Sequence, residues 1–82
     1  MDNPIKKRID ELSLSTYDVA KIVNLEQPSV WRHYTGQRRL SSDSMVAYNS
    51  RLQVNFQEML RWNSFLKEET KRKGKAKAKA KK

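Results

Sequence analysis

The sequence predicts an all-α fold of five short helices, on three observations. No segment alternates apolar and polar residues with period two, so no strand is expected. Five stretches instead carry apolar residues three or four positions apart. Each stretch opens on residues suited to a helix N-terminus, either a side-chain cap or a proline in the first turn.

Asn3-Pro4 opens the first helix, with Asn3 as the cap and Pro4 where a missing N–H costs nothing. Ile5, Ile9 and Leu12 form its apolar stripe, and Ser13 to Ser15 breaks it. Ser15 starts the second helix, with Asp18 three residues on as the acid of a capping box. Val19, Ala20 and Val23 give it an inner side, with Ile22 beside them. Asn24 ends it, because Asn tolerates the left-handed conformation that terminates helices. After Leu25-Glu26, Gln27-Pro28-Ser29 opens a third helix that runs to about Thr35 and stops at Gly36. Ser41-Ser42-Asp43 caps a fourth, with Met45, Tyr48 and Leu52 on one face. Asn55 caps a fifth, on which Phe56, Met59 and Leu60 are expected to dock against the rest. Trp62 and Phe65 are then left toward another side as an exposed aromatic patch, or as part of a wider buried face.

Charge divides the chain in two. Eight of its 18 cations lie in residues 71–82, KRKGKAKAKAKK, where there is no acid. The other ten share residues 1–70 with all nine acids, so that part is almost neutral. Two regions follow: a folded unit over residues 1–69 and a Lys/Ala-rich tail over 70–82. The tail has no apolar face and repels itself, so disorder is expected, and its charge suits a polyanion. At 82 residues without cysteine, the chain supports one small core and neither a disulfide nor a thiolate metal site. No apolar run approaches the ~18 residues that span a bilayer. MDNPIKKRIDEL lacks the apolar stretch of a signal peptide, so a cytoplasmic location, with no membrane partner, is expected.

Catalysis is not expected. His33 is the single histidine and has no acid beside it, and a packed role is anticipated for it. Ser13, Ser15, Ser41, Ser42 and Ser44 lack triad partners and read as caps and turns. No metal, cofactor or small-molecule ligand is expected, and Gly36 and Gly74 make no phosphate loop.

The second and third helices read as a helix-turn-helix over about residues 16–35. Ala20 sits where two helices cross closely, Leu25 covers the corner, and Val30 locks the third helix onto the second. Val19-Ala20, Asn24-Leu25, Val30 and Gly36, followed by basic residues and a fourth helix ending near Leu52-Gln53-Val54, resemble the Cro/cI-type helix-turn-helix family of phage repressors. The resemblance extends over most of residues 1–66 and implies a five-helix, lambda-repressor-like domain. It implies that Val30 and His33 face inward, while Gln27, Pro28, Trp31 and Arg32 face the major groove. Gln27 would read adenine and Arg32 guanine. Thr16, Ser29, Gln37, Arg38 and Arg39 would hold the DNA backbone. Such proteins bind paired half-sites as dimers, so a homodimer is expected, with Trp62, Phe65 and Leu66 as its contact.

Departures from the pattern matter for specificity. Pro28 replaces a polar base-reading side chain and offers only apolar contact, for instance with a thymine methyl. Trp31 is large for a groove position, and its alternatives are packing against the first or fourth helix or a dimer contact. The function expected is a sequence-specific, double-stranded DNA-binding repressor of phage or mobile-element type. Its rivals are an antitoxin that also binds a toxin, and an architectural protein that binds DNA nonspecifically through its tail.

Overall fold

The computed structural model describes residues 1–69 with their side chains and, beyond them, only the backbone of the last helix. The disorder expected of the tail at 70–82 falls outside the fully described residues. The described residues form five helices: α1 (Pro4–Glu11), α2 (Thr16–Val23), α3 (Gln27–Tyr34), α4 (Ser42–Leu52) and α5 (Phe56–Lys81). There is no strand among the described residues.

Local chemistry sets the helix ends. Asn3 Oδ1 accepts from the N–H groups of Ile5 and Lys6 at the start of α1. Ser15 and Asp18 complete a capping box, each side chain accepting from the other's backbone. Asn24 closes α2 in the left-handed region at φ 57°, ψ 45°, and Leu25 N–H returns to Ala20 O at 3.0 Å. Ser41 caps α4 through Ser44 N–H, and Asn55 accepts from Glu58 N–H at the start of α5. Ser13 and Gln53 are also left-handed, at φ 54° each, which the sequence reading did not anticipate.

None of the first four helices exceeds eleven residues, too short to persist alone in water. Packing holds them. α2 lies chiefly against α3 and also meets α4, while α1 bridges α3 and α5, and α4 touches α5. Their shared core contains Ile5, Ile9, Val19, Ala20, Val23, Val30, Leu40, Met45, Tyr48, Leu52, Val54, Met59 and Trp62. Each fully buried aliphatic side chain of this kind contributes about 1.5–3 kcal/mol relative to exposure. Arg8 ties α1 to the end of α4, its Nε donating to Leu52 O at 2.8 Å.

Three expectations about apolar faces are corrected. Leu12 is exposed at the C-cap of α1, and Leu14, half-buried beyond the turn, packs on the core instead. Phe56 and Leu60 are exposed, so α5 docks through Met59 and Trp62 rather than through Phe56 and Leu60. Trp62 is not part of an exposed patch. It is only 6% exposed, and Phe65 stacks on it with centroids 5.4 Å apart and an interplanar angle of 21°. Phe65 and Leu66 are half-buried against the same core. The indole of Trp62 lies beneath Gly36, where space exists because glycine has no side chain.

Gly36 adopts φ +76°, and a Cβ placed on it would stand 3.3 Å from Trp62 Cζ2. Gly36→Ala is therefore expected to lose about 1–2 kcal/mol from the left-handed backbone alone, with the tryptophan contact adding to it. Ala20→Leu overfills the α2–α3 crossing and is expected to cost about 1–3 kcal/mol. Urea denaturation of both variants measures these losses, and an unchanged midpoint for either would contradict the packing described.

Candidate nucleic-acid interface

The outer surface of α3 is fixed by what its inner surface buries. Val30 is fully buried, and His33 is 3% exposed. One turn of helix separates these two residues, so the positions between and before them point outward. Pro28 and Arg32 are exposed, and Gln27 and Ser29 are half-buried. Trp31 is 47% exposed. Its ring stacks on Tyr34, with centroids 5.9 Å apart and planes at 24°. The choice for Trp31 between core and outer face is thus decided for the outer face.

Tyr34 is held in turn by α1. Its hydroxyl donates to Asp10 Oδ1 at 2.9 Å, and Lys6 Nζ lies 5.3 Å from its ring centroid while pairing with Asp10 at 2.8 Å. The Lys6 hydrogen bond, and after it that of Tyr34, lowers the Asp10 carboxyl below its ordinary value. A platform therefore runs from α1 through Tyr34 to Trp31. No spacing in the sequence signals it, because it depends on how α1 crosses α3.

Gln27 and Thr16 are brought together across the turn. Gln27 Nε2 donates to Thr16 Oγ1 at 3.0 Å, which joins the N-terminal ends of α2 and α3. Both residues retain partial exposure. Gln37, Arg38 and Arg39 are all exposed and follow α3 in a tight turn, with Gln37 N–H donating to Arg32 O at 2.9 Å. Sequence reasoning missed the second role of Asn3. Its Nδ2 donates to His33 O at 2.8 Å and Tyr34 O at 3.0 Å, so one carboxamide begins α1 and ends α3. The cap alone was legible, since the other half of the amide acts across thirty residues.

Behind the surface, His33 Nδ1 and the Tyr48 hydroxyl share a hydrogen bond of 2.8 Å, with the rings edge to face at 81°. Burial, then the nearby positive charge of Arg38, pushes the imidazole down to about 4. Burial also raises the Tyr48 phenol. Both groups are therefore neutral at pH 7 and act as structure. No group of three or more acidic, histidine or cysteine side chains suited to a metal occurs among the described residues, nor is any helix there long and apolar enough to cross a membrane.

Comparison of the chain with family models, with curated proteins and with solved structures finds no match.

The buried imidazole has a consequence for acid stability. Its folded pKa lies below the ordinary histidine value of 6.5, so the unfolded chain takes up the proton first as pH falls. The stabilisation is complete above about pH 6.5 and is lost toward pH 4, by up to about 1.4 kcal/mol per unit. Urea midpoints measured between pH 7 and pH 4.5 should fall steeply for the native sequence and less steeply for His33→Gln. The contribution of the lowered Asp10 carboxyl is present above the ordinary carboxylate value of 3.8 and is lost as pH falls past it, mostly outside that window. Equal slopes would show that another group carries the effect.

Proposed function

We propose that this protein is a sequence-specific DNA-binding repressor that places α3 in the major groove. One observation carries the reading: the exposed outer face of α3 and the turn after it form a surface that holds Arg32, Arg38 and Arg39. No acid occurs anywhere from Gln27 to Ser42. A body close to charge balance has thus gathered positive charge on one segment, which is what phosphate binding requires.

The roles follow from position. At the two ends of the outer face of α3, Gln27 supplies one donor and one acceptor suited to N7 and N6 of adenine, and Arg32 supplies paired donors suited to O6 and N7 of guanine. Pro28 and the edge of Trp31 offer apolar contact between them. Thr16, Ser29, Gln37, Arg38 and Arg39 flank that face and hold phosphates, which sets register without reading sequence. The Gln27–Thr16 hydrogen bond fixes the Gln27 carboxamide before any base arrives, which lowers the entropy lost on binding.

Repression needs two such helices in successive grooves, about 34 Å apart, and hence a homodimer on an inverted repeat. Trp62 is buried within the protomer and is withdrawn from the dimer contact. Phe65 and Leu66 retain partial exposure for it.

Selection of binding sites from a random duplex pool, followed by footprinting, tests the reading. A selected site that resists excess random DNA supports it, and equal affinity for every duplex points to an architectural role. On the selected site, Arg32→Ala is expected to cost about 1–3 kcal/mol and to relax preference at one base pair. Arg38→Ala should weaken binding to all sequences alike. A base-specific effect at Arg38 would overturn its assignment to the backbone.

A further inference from the structure

A cleft of about 380 Å³ opens between the turn after α3 and the flank of α5, lined by Arg39, Leu40, Ser41, Asn63, Ser64 and Lys67. Only Arg39 among these belongs to the surface assigned above. The two walls are tied by Asn63. Leu40 N–H donates to Asn63 Oδ1 at 2.7 Å, and Asn63 Nδ2 donates to Leu40 O at 2.8 Å. One carboxamide thus satisfies both backbone groups of Leu40, whose side chain is buried. The cleft is consequently formed in advance and does not require a ligand to draw its walls together.

Its lining holds two cations and no acid. Arg39 and Lys67 are exposed, and neither takes part in an ion pair among the described residues. Asp43, in the first turn of α4, and Glu68, next to Lys67, lie outside the lining. Two like charges across one cleft repel each other, and an anion between them converts that repulsion into two attractions. The Ser41 hydroxyl is committed, donating to Ser44 Oγ at 2.9 Å and accepting from Ser44 N–H at 3.1 Å. The available donors are therefore the Arg39 guanidinium, the Lys67 ammonium and the Ser64 hydroxyl.

We propose that this cleft seats a phosphodiester of the nucleic-acid backbone, so that α5 takes part in binding through Lys67 and Ser64. The inference rests on the nucleic-acid reading above and extends the line of phosphate contacts from Gln37–Arg39 onto the last helix. Ser64 and Lys67 lie three residues apart on one face of α5, with Asn63 beside them holding the opposite wall in place.

The test uses the full chain and two exposed-lysine variants, Lys67→Gln and Lys7→Gln, the latter on α1 away from the cleft. Binding of a random 20–30 base-pair duplex (about two to three helical turns) is measured across a salt series. Loss of one phosphate contact should reduce the slope of log affinity against log salt by about 0.9 for Lys67→Gln, with no change for Lys7→Gln. In parallel, amide resonances of Leu40, Ser64 and Lys67 should shift on adding duplex. If duplex binds, yet Lys67→Gln keeps the native slope, the cleft is not a phosphate seat and the reading of α3 stands. If duplex does not bind, inorganic tripolyphosphate decides. Cleft amides that shift with it, and no longer shift in Lys67→Gln, retain the seat without the DNA reading. If they do not shift, the phosphate seat is overturned, and the reading of α3 is decided on its selected site alone.

Discussion

An eight-residue helix cannot hold its own shape in water, and α3 is such a helix. It reaches the core through the buried Val30 and His33, with Tyr34 half-buried against it. Its N-terminus has no side-chain cap from Glu26; what steadies that end is the Gln27–Thr16 hydrogen bond. At its C-terminus the last carbonyls are met by Asn3 and by the turn through Gly36. The conformation of the outer surface therefore depends largely on residues behind it, Val30, His33, Asn3 and Gly36, and on the one Gln27–Thr16 bond within it. The remaining helices are arranged around that need, with α1 reaching the end of α3 and α5 lying beneath the turn that follows.

Much of this was legible because it is local. Asn3, Ser15, Ser41 and Asn55 cap helices by bonding N–H groups two or three residues away, and Asn24 takes a conformation that few other residues accept. The outward face of α3 came from the resemblance, which placed Val30 and His33 inside and left Trp31 open between groove and packing; its 47% exposure decides it. The failures came where partners are distant. On α5 several stripes are apolar at helical spacing, and Phe56–Met59–Leu60 looked as suitable as Met59–Trp62. What chose between them was a hollow under Gly36, far back in the chain, into which the Trp62 indole fits. Likewise the second half of the Asn3 amide and both halves of Asn63 bond to backbone far along the chain, where no spacing rule reaches.

Polar atoms inside so small a core need individual partners. His33 and Tyr48 satisfy one another in neutral form, so their burial brings no charge inside. Trp62 is an exception among the described residues, since its Nε1–H is buried without a hydrogen-bond partner. An unmet donor of this kind costs about 1–3 kcal/mol. The gain from burying so large an apolar ring offsets that cost, and the stacking of Phe65 adds to it. The pairing of Trp62 with Gly36 thus joins an energetic liability to a position where backbone geometry also leaves little choice.

The two tryptophans occupy opposite environments: Trp62 sealed in the interior beside the turn, Trp31 half in solvent on the outer face of α3. A shielded indole emits at shorter wavelength than one in contact with water. The molecule therefore carries its own pair of optical reporters, one sensitive to whether the chain is folded and the other to whether anything has come to rest on its surface. With either tryptophan replaced by phenylalanine, folding and surface occupancy become separable by colour in a single cuvette, without any attached dye.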